Sequence, residues 1–154
     1  MLDNKSIIIG YSGHAYVVGD AYTSKGNEID YYTNLIEVSY NPFNLKYLGC
    51  ETDTNFKGWD MGLNFILGIG DNNLRYKAAQ LILSKFKNIE NVIDSNAIIS
   101  KTAKIGVGIF ASKCVLVNAF SKVHDFVILN TGCIIEHECE IGIAAHIAPG
   151  AILA

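Results

Sequence analysis

Charge is scarce in this 154-residue chain: 18% of residues are charged, prolines number 2, and the formal net charge is −3. Twelve Lys and Arg against fifteen Asp and Glu leave no basic excess, which argues against a nucleic-acid binder. The sequence also lacks a long apolar run. No window reaches the ~18 uninterrupted apolar residues that a spanning helix requires, so no membrane span is expected. The start, Met1 to Ser6, passes straight into Ile7-Ile8-Ile9 without the basic end and cleavage site of a signal peptide, and the chain reads as cytoplasmic. Cys50, Cys114, Cys133 and Cys139 form no CxxC pair, so neither a metal site nor a disulfide framework is expected.

What is abundant is aliphatic content, with half of the residues hydrophobic. That excludes disorder, which needs low hydrophobicity. The length suits one ordinary domain or two small ones. Periodicity divides the chain in two. Over residues 1–92, short apolar stretches (Ile7 to Ile9, Leu35 to Val38, Tyr47-Leu48, Phe65 to Leu67) alternate with the longer Ala15 to Tyr22 and Leu74 to Phe86. Strands separated by helices predict βαβ units around a parallel sheet.

Residues 93–154 keep a period of six. Ile93, Ile99, Ile105, Ala111, Val117, Val123, Leu129, Ile135, Ile141, Ile147 and Leu153 are Ile, Val or Leu at all but one position. Four residues after each, from Ala97 through Cys133 and Cys139 to Ala151, the residue is small or apolar. An α-helix cannot hold a six-residue repeat on one face, because six steps of ~100° miss the starting direction by most of a half-turn. A parallel β-helix of hexapeptides can, with three short strands per triangular coil and an inward aliphatic on each. Cys133 and Cys139 then fall on inward positions, as packing residues rather than nucleophiles.

Two glycine turns follow strands in the first part. Gly10-Tyr11-Ser12-Gly13-His14 leads into a helix from about Ala15, and Gly68-Ile69-Gly70-Asp71-Asn72-Asn73 opens the helix that begins near Leu74. Backbone N–H groups at such a helix N-terminus can face an anion, although Asp71 or Asn72 serves equally as a helix cap. The first turn lacks the middle glycine of a dinucleotide fingerprint. Loops at the carboxyl ends of parallel strands share a crevice, and a phosphorylated small molecule fits one.

Taken together, IIIGYSGHAYVV (7–18), FILGIGDNNLRYKAA (65–79), the hexapeptide ladder, VILNTGCIIEHECEIG (127–142) and HIAPGAILA (146–154) resemble a bacterial family of sugar O- and N-acetyltransferases. That family includes sialic acid O-acetyltransferases and the UDP-amino-sugar N-acetyltransferases of bacillosamine and perosamine synthesis. The resemblance implies a Rossmann-like nucleotide-sugar-binding domain (1–92) followed by a left-handed parallel β-helix (93–154) that binds acetyl-CoA as co-substrate. It also implies a homotrimer with active sites between subunits.

Acetyl transfer from a thioester to an amine or hydroxyl needs a base for the acceptor proton, and an imidazole is suited near neutral pH. By its match to the family's motif, His137 is that base, with Glu138 as its acidic partner. Neighbours along a strand point to opposite faces, so Glu138 reaches His137 only near a corner or across a subunit interface. His146 matches an acetyl-CoA-binding position, whereas His124 reads as a turn residue. Ser12, Gly13, His14 and Gly70 match the nucleotide-sugar loops. Where the family has two consecutive acids, this chain has Thr52 and Asp53, so the resemblance leaves the identity of the nucleotide and sugar open. The acceptor is expected to be a nucleotide sugar or a sialic-acid-like sugar, with N- and O-acetylation both open. Family members continue for further coils, so the ladder reads as truncated at Ala154. Either the natural product is longer, or the chain is a nucleotide-sugar-binding relative with little or no transferase activity.

Overall fold

Ile7, Ile8 and Ile9 are wholly buried because their strand, β1 (Ser6–Ile9), has a parallel neighbour on each side and a covered face above and below. The neighbours are β2 (Tyr31–Thr33) and β4 (Asn64–Leu67), with Ile8 opposite both Tyr32 and Ile66. The short β3 (Lys46–Tyr47) completes the order β3-β2-β1-β4. The computed structural model describes residues 5–154, so Met1 to Asn4, where the signal-peptide reading begins, lie outside the described residues. Helix α1 (Gly13–Thr23) follows β1, and α2 (Asn72–Ser84) follows β4.

One expected strand is absent. Leu35 to Val38 is a loop, with Leu35 and Ile36 largely exposed, and the strand is Tyr31–Thr33 just before it. Aromatic and β-branched residues suit a buried pleated position, and Tyr32 and Thr33 fill one. Helix α2 also ends two residues before Phe86, which stands almost wholly in solvent at φ +56°.

From Val92 the chain coils as a parallel β-helix. Eleven two-residue strands, β5 (Val92–Ile93) to β15 (Ile152–Leu153), form three parallel sheets: β5-β8-β11-β14, β6-β9-β12-β15 and β7-β10-β13. Each strand pairs with the one eighteen residues on, as Ile99, Val117, Ile135 and Leu153 do. The six-residue ladder therefore becomes three inward stacks that share one core. Burying a large aliphatic contributes roughly 1.5 to 3 kcal/mol, so this core needs no helix.

Corners carry a second six-residue period. Gly108, Cys114, Phe120, Phe126, Gly132, Glu138, Ala144 and Gly150 all have φ between +54° and +69°. A left-handed residue turns the chain sharply from one face to the next, and five of these eight are not glycine.

The two parts are packed together through the first β-helix face. Its outward residues Val92, Phe110 and Ile128 join Ile8, Ala15 and Val18 in one core cluster. Phe126 and Ala144, at the adjoining corner, join Ile7, Phe65, Ala79 and Ile82 in another. Lys113 bridges Asp20 of α1 and the buried Asp94 (3.3 Å to the latter). No helix among the described residues is long and apolar enough to cross a membrane.

Candidate functional site

The two glycine loops touch because neither has a side chain in the way. A methyl group at Gly10 would stand 2.6 Å from Ile69 Cγ1, and one at Gly68 would stand 2.4 Å from the Gly10 carbonyl oxygen. The Gly68 N–H donates to the Ile9 carbonyl (2.8 Å), which continues the β1–β4 ladder into the loops. The cleft beyond lies at the carboxyl ends of β1, β2 and β4, where open parallel sheets bind ligands. It encloses about 480 Å³, and Ser12, Asn34, Glu51, Thr52, Gly70 and Lys77 bring the polar groups to it. Leu35, Leu74 and Leu81 give it an apolar wall.

Two helices begin at this cleft. Ser12 occupies the N-cap position of α1 in extended conformation, and its hydroxyl makes no capping bond. Gly13 beside it is exposed, with open space where a side chain would be. At α2 the cap is Asp71, whose carboxylate accepts from the Leu74 N–H at 2.9 Å. The turn therefore serves the helix and the cleft together.

His14 leaves this group. Its ring packs edge-on against Phe110 (5.4 Å between centroids), lies 6.1 Å from the His146 ring, and is covered by Gly70. Burial first, then the nearby Arg75 and His146, lower its pKa to about 4, so it is neutral at pH 7. Its Nε2 is buried and has no hydrogen-bond partner. Asp53 is also separate from the cleft: it lines an adjoining cavity of about 410 Å³ with Tyr47, Asn55 and Lys57. Thr52 remains at the cleft, its hydroxyl 3.0 Å from Cys50 Sγ.

The sequence reading missed Asn34, Glu51 and Lys77. Asn34 follows β2, and the misplaced strand at Leu35 to Val38 hid it. Lys77 had a legible signal, because Leu74, Lys77, Ala78 and Leu81 recur at helical spacing on one face of α2.

Arg75 is buried to 1% exposure at the start of α2. Its Nε donates to the Phe126 carbonyl (2.7 Å), Nη2 to Gly108 (2.7 Å), and Nη1 to Leu67 (2.8 Å) and Ile69 (3.2 Å). Burial pushes its pKa down to about 9, which leaves it charged at neutral pH.

On the β-helix, His137 and Glu138 sit at the corner between the second and third faces. Glu138 takes φ +61°, and this left-handed turn removes the strand alternation that would hold the two side chains apart. His137 Nδ1 lies 3.2 Å from Glu138 Oε2, with both side chains about three-quarters exposed. His146 occupies β14 on the first face, in register with Val92, Phe110 and Ile128, and its Nε2 is 3.0 Å from Asn130 Nδ2. In a three-faced coil the corner between faces two and three lies opposite face one. The structure thus brings His146 and His14 together and sets His137 across the β-helix from them. His124 lies on the third face, 2.7 Å from Glu140 Oε1. With Lys122, it holds the Glu140 carboxyl below the usual carboxylate range. No group of three His, Cys, Asp or Glu side chains suited to a metal occurs among the described residues.

Residues 5–82 match the family described as the PglD N-terminal domain. Among solved structures, the whole chain superposes on 72% of PerB from Caulobacter crescentus, determined with CoA and GDP-perosamine, at TM-score 0.87 and 26% identity. The acetyltransferase domain of PglB from Neisseria gonorrhoeae, determined with acetyl coenzyme A, matches 98% of this chain over 73% of its own (TM-score 0.88, 25% identity). WeeI from Acinetobacter baumannii shares the fold at 18% identity (TM-score 0.80, 97% of this chain and 72% of that one).

Proposed function

Because this chain belongs to the PglD N-terminal domain family, we propose that it is an acetyltransferase that moves the acetyl group of acetyl-CoA to a nucleotide-activated sugar. PerB and the PglB domain, with their CoA, acetyl-CoA and GDP-perosamine complexes, support the donor and the class of acceptor. In this reading residues 1–92 hold the acceptor and residues 93–154 the donor, and the reaction takes place where acetyl-CoA is made, in the cytoplasm.

The observation that carries the reading is the His137–Glu138 pair. With Nδ1 held by the Glu138 carboxylate, His137 has Nε2 free to accept a proton. The acceptor amine or hydroxyl attacks the thioester carbonyl while Nε2 takes its proton. Collapse of the tetrahedral intermediate breaks the C–S bond, and the imidazolium returns the proton to the CoA thiolate. Glu138 orients the ring and stabilises its cationic form. Ser12 and Gly70 at the cleft, with Gly13 next to Ser12 at the start of α1, suit the diphosphate, and Thr52 lies at the same cleft. His14 serves from behind the loop, and Asp53 from the adjoining cavity. His146 contributes to the acetyl-CoA site.

His137 lies on the corner opposite the face that carries the glycine loops. In this reading an acceptor held in the cleft meets the His137 of another copy, a separation that supports active sites between subunits, and the assembly is the homotrimer that the family resemblance implies. Incubation with acetyl-CoA and a panel of UDP- and GDP-amino sugars and sialic acids is expected to release free CoA with a nucleotide sugar, and H137A to abolish the release. Failure to release CoA with every acceptor would refute the proposal.

A further inference from the structure

Arg75 carries a full charge at a position where local physics opposes it. It lies in the first turn of α2, where the helix dipole is already positive, and no acidic residue occupies that turn. Four carbonyls accept from four of its five N–H groups, but carbonyls do not neutralise charge, and no carboxylate among the described residues pairs with it. The nearest acid in sequence, Asp71, caps α2 by accepting from the Leu74 N–H and forms no ion pair with Arg75. Buried charges are ordinarily paired, because the desolvation penalty otherwise stands uncompensated.

The location supplies a reason. Two of the four carbonyls, Leu67 at the end of β4 and Ile69 in the loop after it, flank Gly68, and that loop lines the cleft at Gly68, Ile69 and Gly70. The guanidinium therefore stands one layer of backbone behind the cleft wall, shielded from solvent. The other two carbonyls, Gly108 and Phe126, are left-handed β-helix corners, so the same side chain fixes that loop to the coil.

We propose that Arg75 is a positioning residue whose counter-ion is the diphosphate of the acceptor, which it attracts through the Gly68–Gly70 loop while bolting that loop to the β-helix. This rests on the reading of the cleft as a nucleotide-sugar site. Set against the Glu51 and Asp71 carboxylates that also line the cleft are the N-termini of α1 and α2, and a guanidinium that bulk salt cannot screen as it screens an exposed lysine. Lys77, also at the cleft, is the exposed counterpart.

The test is calorimetric binding of UDP and GDP, each against its own nucleoside, to the full chain and to R75Q, R75K and K77M. Wild type is expected to prefer the diphosphate. In R75Q that preference falls at least about tenfold while nucleoside affinity stays within about twofold, because a lost buried charge acts on the phosphates alone. R75K, which keeps the charge and loses the planar fork, retains more of the preference than R75Q. A parallel loss of nucleoside and diphosphate binding would reduce Arg75 to a strut, and an unchanged preference in R75Q would remove it from binding; either overturns the proposal. Should R75Q not fold, K77M and R75K decide together: a preference that survives in K77M but falls at least about threefold in R75K, with nucleoside affinity unchanged, supports Arg75, whereas one abolished in K77M transfers the role to Lys77 and one unchanged in both leaves it to the helix N-termini, and either of these overturns the proposal. If wild type binds neither diphosphate, it is the nucleotide-sugar reading that fails.

Discussion

Gly68 and Gly10 meet so closely that a methyl group on Gly68 would stand 2.4 Å from the Gly10 carbonyl oxygen. Ile8 Cγ1 and the Ala15 side chain are within 3 Å of the same point, so backbone and core must both yield. G68A is expected to cost at least about 2 kcal/mol, in the range of overpacked cores, as read by urea unfolding. A stability within 0.5 kcal/mol of wild type would show that the loops are free to separate.

His14 makes acid destabilising. Its folded value near 4 lies below the ordinary 6.5, so between those limits the unfolded chain binds a proton that the folded chain refuses. The stability linked to His14 is complete above about pH 6.5 and is lost progressively towards pH 4. In H14M the fall in Tm across this window is expected to be shallower than in wild type. Parallel curves would mean that the ring is open to solvent.

H137A is expected to lower kcat by about 10²- to 10⁴-fold, the usual contribution of a general base. E138Q keeps the shape and loses the charge that holds the ring, and about tenfold is expected for an orienting partner. The double variant is expected to be no slower than H137A alone, since Glu138 acts through the histidine. Additive losses would place Glu138 on the substrate directly.

Phe120 and Phe126 share one left-handed backbone geometry and are expected to respond to glycine with opposite sign. Each pays roughly 1 to 2 kcal/mol for the conformation. Phe120 is 65% exposed, so F120G relieves strain with little packing lost and is expected to gain up to about 1 kcal/mol. Phe126 is 2% exposed, and F126G is expected to lose about 3 kcal/mol through the cavity it leaves. Denaturant melts of the two variants give the comparison.

The β-helix was legible because its period is written in aliphatic residues, and the same positions form the inward stacks. Its corners were not, because a left-handed turn is usually announced by glycine and here is adopted by Cys114, Phe120, Phe126, Glu138 and Ala144 as well. The contact between His137 and Glu138 depends on one of those unannounced corners. In the first part, the strand–glycine–helix order gave the cleft. What determined the lining was which loop residues face it, and Asn34 was lost with the misplaced strand. Arg75 reads as an ordinary helix residue in the sequence, since two of its four partners are carbonyls 33 and 51 positions away and all four are backbone atoms, which carry no side-chain signal.

The regular spacing of the left-handed corners also restricts how such a chain can change in length. A residue inserted within a strand would put the next corner out of phase with the corners above and below it, and the inward stack would lose a rung. One inserted at a corner can bulge outward and leave every stack intact. Length can therefore be added in whole turns of eighteen or as loops budding from the edges, and the corner that carries His137 is one of the places where a new loop could grow beside the chemistry without disturbing the core.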